Sequence, residues 1–167
     1  MGRCSYGANA IVESARRYLS DPAATERAGA ALAPALRGGM IVTLSGELGA
    51  GKTTLARGLV RALGWQGPVK SPSYALVEQY QFPSIYFYHF DFYRFERSEE
   101  WDSTGFAEYF RPDAVALIEW PERVSERLPE IDIALRLAHA EPGRTLELRA
   151  WTAVGSACLA QFIATMP

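Results

Sequence analysis

Residues 46 to 53 read GELGAGKT, which fits the phosphate-loop pattern G-x-x-x-x-G-K-[ST]. The segment Met40–Leu44 before them is short, apolar and partly β-branched, which predicts a buried strand. The segment Thr54–Leu63 after them repeats leucine every four residues, which predicts a helix with one apolar face. Because a strand, a glycine-rich loop and a helix follow in this order, the pattern predicts a P-loop, with an ordinary glycine turn as the alternative.

The residue types in this loop suit the binding of phosphate groups. Glycine lacks a Cβ, so the backbone can wrap closely around an anion and direct N–H groups and the helix N-terminus toward it. The Lys52 ammonium can reach β- and γ-phosphates, and the Thr53 hydroxyl can bind Mg²⁺. We therefore expect a nucleotide site with a divalent cation at this point of the chain.

Composition narrows the class of protein. The 167 residues are 49% hydrophobic and 22% charged, which is typical of one globular domain with a real core. No run approaches the roughly 18 apolar residues of a membrane helix, and the first twenty residues show no block typical of a signal peptide. Cys4 and Cys158 lie far apart, which argues against a disulfide scaffold or structural zinc and favours a reducing cytoplasm.

The order of the predicted elements indicates the fold class. Asp21-Pro22 begins a helix that runs to about Leu36, with Asp21 as its N-cap. Later patterns predict strands over 75–80, 85–90, 113–118, 131–138 and 144–150, and helices over 98–110 and 153–166. This order predicts a three-layer α/β/α fold with a mixed sheet. Residues 1–16 lack a pattern, so we expect a disordered or artificial extension there and a single P-loop domain over 17–167.

Two carboxylates at predicted strand ends are candidates for the chemistry. Asp91, in the run HFDFYR at 89–94, can hold Mg²⁺, or can belong only to the polar rim of a half-exposed strand. Glu119, in the run LIEWP at 117–121, can face Mg²⁺ or the attacking water, or can cap the following helix. The run SPSY at 71–74 is either a loop that senses the γ-phosphate or a plain turn.

Four motifs, GELGAGKTT, SPSY, HFDFYR and LIEWP, resemble those of the TsaE family in order and spacing. The resemblance covers roughly residues 20 to 166. TsaE proteins are small bacterial ATPases of tRNA threonylcarbamoyladenosine biosynthesis. The resemblance implies a P-loop α/β domain that binds ATP and Mg²⁺ and hydrolyses ATP slowly by itself. It also implies work with TsaB and TsaD, which attach the threonylcarbamoyl group to the adenosine next to the anticodon.

The resemblance assigns roles to individual residues. Lys52, Asp91 and Glu119 would be catalytic. Thr53 would hold Mg²⁺ together with Asp91 and Glu119. The implied nucleotide-binding residues are Thr25, Gly46, Glu47, Leu48, Gly49, Ala50, Gly51, Lys52, Thr53, Thr54, Ser73, Trp120, Glu122 and Arg144.

Some members of this set lie outside the phosphate loop. Thr25 resembles the N-terminal segment that closes over the adenine in the family, and Arg144 matches an arginine near the phosphates. Trp120 and Glu122 fall where the family has residues close to the nucleotide. Ser73 departs from the family, which usually has Thr there, but the hydroxyl is retained.

Two other functions compete with the ATPase. A small-molecule kinase of the P-loop class would consume ATP only when a small acceptor is added. A nucleotide-gated binding module would bind partners in an ATP-dependent way without releasing phosphate. The chain has aromatic hairpin strands where a kinase would have an acceptor domain, which favours the ATPase.

We predict that the chain alone binds tRNA weakly at physiological salt. The formal net charge is −2 and no basic block is present, so few counterions are released on contact with phosphates. Filter binding of tRNA at several salt concentrations measures this affinity. Tight and salt-sensitive binding by the isolated protein would contradict the prediction and make this chain an RNA-binding subunit.

Overall fold

Seven strands form one mixed sheet in the computed structural model, which describes residues 13–166. The strands are β1 (Glu13–Leu19), β2 (Ile41–Ser45), β3 (Val77–Gln81), β4 (Tyr86–Asp91), β5 (Ala114–Glu119), β6 (Ile133–Ala140) and β7 (Gly143–Ala150). Their order is β1-β7-β6-β2-β5-β4-β3, in which β6, β2, β5 and β4 run parallel to one another. The mixed α/β sheet expected from the sequence is confirmed, and every predicted strand ends within two residues of its expected position.

One face of the sheet carries the α-helices, which are α1 (Pro22–Leu32), α2 (Lys52–Ala62) and α3 (Ala153–Thr165). Leu55 and Leu59 of α2 and Phe162 of α3 are fully buried in a core with Leu44 and Leu135 of the sheet. Burial of such side chains is worth about 1.5–3 kcal/mol each, so this layer fixes the position of α2 behind the phosphate loop. No helix within residues 13–166 is long and apolar enough to span a membrane.

The first helix begins where the sequence predicts. Asp21 Oδ1 accepts a hydrogen bond of 2.7 Å from the backbone N–H of Ala24, as an N-cap does. The helix ends at Leu32, before the predicted end near Leu36, and a single 3₁₀ turn follows. Pro34 explains the early end, because proline has no backbone N–H to continue the i→i−4 hydrogen bonds of the helix.

Aromatic side chains cover the other face of the sheet. The single helix predicted over 98–110 is wrong, because the segment forms two 3₁₀ helices interrupted at Gly105, whose φ is 73°. Trp101 and Phe106 lie with ring centroids 5.4 and 6.0 Å from that of Phe92. Aromatic burial therefore holds this segment on the sheet without a regular α-helix. The 3₁₀ helices on this side are Ser98–Ser103, Phe106–Tyr109, Pro121–Arg123 and Ser125–Arg127.

The edge strand β1 was not predicted. It begins at Glu13 and pairs antiparallel with β7, so the expected extension over residues 1–16 is wrong for residues 13–16. The strand carries mostly polar side chains, so no apolar pattern predicts it. Backbone pairing with β7 and the burial of Leu19 at its end hold it in place. Residues 1–12, the remainder of the expected extension, lie outside the described residues.

Helices α1 and α2 approach each other closely at two glycines. A Cβ added to Gly29 would lie 2.0 Å from the carbonyl oxygen of Leu55. A Cβ added to Gly58 would lie 1.9 Å from the carbonyl oxygen of Glu26. The two backbones can touch only because both residues lack a side chain.

We predict that Gly58→Ala destabilises the protein by about 1–3 kcal/mol, because the methyl group overpacks the helix contact. The usual effect has the opposite sign, since Ala is favoured over Gly by about 1 kcal/mol inside an exposed helix. Urea unfolding measures the change. Ala62→Ser, at an exposed position of α2, is the control and should stay within about 0.5 kcal/mol of the wild type. A stabilised Gly58→Ala variant would show that the helices do not touch there.

Candidate functional site

The loop between β2 and α2 has a conformation that requires glycine. Gly46, Gly49 and Gly51 have φ angles of 153°, 76° and 106°, a region that side chains disfavour. A Cβ on Gly46 would also lie 2.6 Å from the carbonyl oxygen of Leu137. Since α2 begins at Lys52, its first backbone N–H groups lie at the end of this loop without intrahelical partners. Such a helix start is suited to bind an anion.

Lys52 is the buried cation of the loop. Its side chain is 6% exposed, and its Nζ donates hydrogen bonds to the carbonyl oxygens of Gly46 (2.6 Å) and Glu47 (2.9 Å). Nζ also lies 4.5 Å from the ring centroid of Trp120, a cation–π contact. Burial lowers the pKa of Lys52, and the charges of nearby carboxylates oppose this shift. The opposing carboxylates are those of Glu119, Asp91 and Glu122.

Asp91 and Glu119 meet at the same edge of the sheet. They are the last residues of β4 and β5, which are parallel neighbours, and their Cα atoms are paired in the register. Glu119 is also paired with Leu44 of β2, directly before the phosphate loop. Both acids are buried, with 3% and 2% exposure. The predicted juxtaposition of these carboxylates with the phosphate loop therefore occurs.

Each acid has a defined hydrogen-bond partner. Ser71 Oγ donates to Asp91 Oδ2 at 2.5 Å, and the backbone N–H of Tyr93 donates to Asp91 Oδ1 at 2.9 Å. His89 Nε2 lies 2.8 Å from Glu119 Oε1, and both side chains are buried. These contacts hold the two carboxylates in place before any ligand binds.

Trp120 and Glu122 follow β5 and border a cleft beside the start of the phosphate loop. Trp120 has φ of 55°, a left-handed conformation that is uncommon for a bulky residue and costs roughly 1–3 kcal/mol. Its ring contacts Tyr93 at a centroid distance of 5.1 Å. The cleft has a volume of about 440 Å³ and is lined by Ser45, Gly46, Glu47, Trp120, Glu122, Arg136, Leu137, Ala138 and His139.

Two predicted residues reach the phosphate loop from other elements. Thr25 of α1 is 2% exposed, and a Cβ on Gly51 would lie 3.6 Å from its Cγ2. Arg144, at the start of β7, donates from Nε to the Ala50 carbonyl at 3.0 Å and from a terminal nitrogen to the Gly49 carbonyl at 3.4 Å. The loop is thus held between α1 and the β6–β7 hairpin.

The remaining predicted residues lie around the loop and its helix. Leu48 is at the tip of the loop with 62% exposure, and Glu47 is also exposed. Thr53 and Thr54 are partly exposed in the first turn of α2. Ser73 is partly buried in the loop that precedes β3 and makes no hydrogen bond to a described residue, so its place near a nucleotide stays a prediction.

Two side chains at the site were not among the predicted residues. Ser71 lies in the SPSY run, and His89 lies two residues before Asp91 on the same face of β4. Because side chains alternate along a strand, His89 and Asp91 lie on one face, and this spacing was a sequence signal for His89 near the site. Local patterns, however, could not predict that Ser71 binds Asp91 and that His89 binds Glu119, because these pairs depend on strand pairing and on the position of a loop.

The strand-end side chains fit a Mg²⁺ ion bound together with a nucleotide. Such ions take one or two carboxylates plus phosphate oxygens, and Asp91, Glu119 and the Thr53 hydroxyl are the matching oxygen donors. Within residues 13–166 no group of three or more His, Cys, Asp or Glu side chains could hold a metal by itself. The chemistry of the donors therefore suits a cation that the phosphates help to bind.

Known proteins resemble this chain in fold and in sequence. The crystal structure of YdiB from Bacillus subtilis matches with a TM-score of 0.80 over 93% of this chain and 98% of that chain. Its sequence identity is 24%, so this likeness concerns the fold alone.

The sequence relatives are tRNA threonylcarbamoyladenosine biosynthesis proteins TsaE. The protein from Haemophilus influenzae is 40% identical over 156 residues, which cover 90% of this chain and 99% of the relative. That from Bacillus subtilis is 39% identical over 92 residues, covering 55% and 57%. The family model described as threonylcarbamoyl adenosine biosynthesis protein TsaE matches residues 19–146. The resemblance predicted from four motifs is thereby confirmed, and the chain belongs to the TsaE family of tRNA threonylcarbamoyladenosine biosynthesis.

Proposed function

We propose that this chain is a Mg²⁺-dependent ATPase that acts in the cytoplasm with a TsaB–TsaD complex in threonylcarbamoyl modification of tRNA. Membership of the TsaE family supports the pathway. One observation carries the activity: a glycine loop, a buried lysine and two strand-end carboxylates converge at one edge of the sheet. These are the parts that transfer of a phosphoryl group from ATP requires.

The loop, the start of α2 and Lys52 would bind the phosphates. The free N–H groups at the start of α2 would donate to phosphate oxygens. Lys52 would exchange its hydrogen bonds to the Gly46 and Glu47 carbonyls for bonds to the β- and γ-phosphates. Arg144 supports this arrangement, because its hydrogen bond to the Ala50 carbonyl holds the middle of the loop in place.

The two carboxylates would bind the metal ion and orient the attacking water. Thr53, Asp91 and Glu119 would hold Mg²⁺, which when bound neutralises charge on the phosphates. Asp91 is fixed by Ser71 and Tyr93, which favours a position near the γ-phosphate. Glu119 can accept a hydrogen bond from a water molecule and orient it for attack.

Residues beside the loop would contact the nucleoside. Thr25 of α1 lies beside the loop at Gly51, which supports a position near the adenine. Trp120 and Glu122 border the cleft at the start of the loop, which supports contact with the nucleotide. This assignment follows the family resemblance and the proximity of all three residues to the loop.

The segment 71–74 and the end of β4 are suited to report nucleotide state to a protein partner. Ser71 is hydrogen-bonded to Asp91, so a nucleotide that engages Asp91 competes with this loop contact. The neighbouring Tyr74 is 83% exposed, with the Arg94 guanidinium 3.9 Å from its ring centroid. Exposed Tyr and Arg are common at the centre of protein interfaces, which supports TsaB–TsaD contact at this surface.

We predict that Lys52→Ala greatly weakens Mg-ATP binding or makes it unproductive. The variant removes the positive charge that would face two phosphates. Calorimetry measures the nucleotide affinity, and phosphate release measures the turnover. Unchanged affinity together with unchanged turnover would remove Lys52 from the site.

We predict weak phosphate release from Mg-ATP by the chain alone and faster release with TsaB–TsaD. Asp91→Ala and Glu119→Ala should each reduce this hydrolysis more than 10-fold, on the order of 1.4 kcal/mol or more in the barrier. Both variants should still fold, which circular dichroism checks, because neither substitution changes an apolar side chain of the core.

Three other outcomes would contradict the proposal. Full activity in both acid variants would exclude these carboxylates from the chemistry. Loss of ATP only when a small acceptor is added would indicate a kinase. ATP-dependent partner binding with no phosphate release would indicate a gated binding module.

A further inference from the structure

His89 and Glu119 form a buried pair behind the candidate metal ligands. The His89 side chain has 0% exposure, and its Nε2 lies 2.8 Å from Glu119 Oε1. Asp91 is paired with Glu119 in the parallel register, and His89 precedes Asp91 by two residues on the same face. The pair therefore links the interior of β4 to the carboxylate at the end of β5.

Hydrogen-bond chemistry indicates which ring nitrogen carries the proton. An ionised carboxylate can only accept, so Nε2 of His89 donates and Nδ1 keeps a lone pair. Within residues 13–166, this Nδ1 is the only fully buried side-chain nitrogen or oxygen without a hydrogen-bond partner. This arrangement favours the tautomer that carries its proton on Nε2.

The hydrogen bond between His89 and Glu119 affects the orientation of the Glu119 carboxylate more clearly than the stability of the fold. A buried polar pair is often no more stabilising than apolar residues of the same volume. The Glu119 side chain makes no other hydrogen bond to a described residue, so His89 alone fixes its carboxylate through Oε1. The second oxygen, Oε2, has no such partner and is not fully buried. One oxygen is held and the other is left for a ligand.

We propose that His89 is a positioning residue that orients Glu119 so that Oε2 can bind Mg²⁺ in the nucleotide complex. The proposal rests on the function proposed above, in which Glu119 acts on the metal. Removing a hydrogen-bond partner behind a metal ligand typically costs roughly 10- to 100-fold in metal affinity or activity. An effect of this size on Mg²⁺ dependence distinguishes positioning from simple packing.

The test compares His89→Phe, His89→Gln and Phe87→Leu in the full chain. Phe keeps a ring but removes the donor, whereas Gln can place an amide N–H near the original Nε2. Phe87, buried on the same face of β4, is the packing control. Calorimetry of ATP binding at a series of Mg²⁺ concentrations, with phosphate release in parallel, gives the Mg²⁺ requirement of each variant.

We expect His89→Phe to raise the Mg²⁺ concentration required for ATP binding by roughly 10- to 100-fold. In His89→Phe, the affinity for ATP without Mg²⁺ should not change. His89→Gln should recover most of the lost Mg²⁺ affinity, and Phe87→Leu should behave as the wild type. Equal Mg²⁺ requirements in the wild type and His89→Phe would overturn the proposal. Equal losses in the Phe and Gln variants would also overturn it, because the donor would then not matter.

Nitrogen-15 NMR of the histidine rings tests the hydrogen bond even where a variant fails to fold. The chain has two histidines, so His139→Asn assigns both sets of signals. We expect the Nε2–H tautomer for His89 and a changed ring signal in Glu119→Gln. An Nδ1–H tautomer would overturn the proposal. A wild type that binds no Mg-ATP would instead overturn the proposed ATPase, and the positioning role with it.

Discussion

Parallel pairing of β2, β5 and β4 brings the phosphate loop and both acids to one edge of the sheet. If β4 and β5 were antiparallel, Asp91 and Glu119 would lie at opposite edges and could not share a ligand. Because β5 lies between β2 and β4, Glu119 is next to the loop and Asp91 is one strand farther away. The order of the strands thus sets the order of the candidate groups across the site.

Polar and charged side chains are concentrated in a part of the structure that is otherwise apolar. Lys52, Asp91, Glu119 and His89 are all buried, whereas such side chains are rarely buried without partners. Three of them have local partners: loop carbonyls bind Lys52, a serine and a backbone N–H bind Asp91, and His89 binds Glu119. The Nδ1 atom of His89 has no hydrogen-bond partner among the described residues. A preorganised cluster of this kind costs folding free energy, and it spares the reorganisation that binding would otherwise require.

Local sequence patterns contain much of this structure but not all of it. The glycine loop, its flanking strand and helix, and the Asp21 cap depend on neighbouring residues, and they were predictable for that reason. The strand β1 and the aromatic segment after Arg97 depend on distant partners, β7 and the sheet face, and no local period marks them. Asp91 and Glu119 were found through their positions at strand ends, but the serine and histidine that hold them were not. The catalytic and binding roles of these side chains stay predictions.

The pairing of β1 with β7 has a consequence for how the chain folds. Glu13 is paired with Ala150, so β1 cannot form these backbone hydrogen bonds until β7, the last strand along the described chain, is present. Contacts between such distant residues slow folding, because a long loop must close before they contribute. During synthesis, the phosphate-loop half of the sheet can therefore assemble while β1 is still an open edge. Arg16, exposed on that strand, is the kind of charge that keeps an unpaired edge from joining another chain.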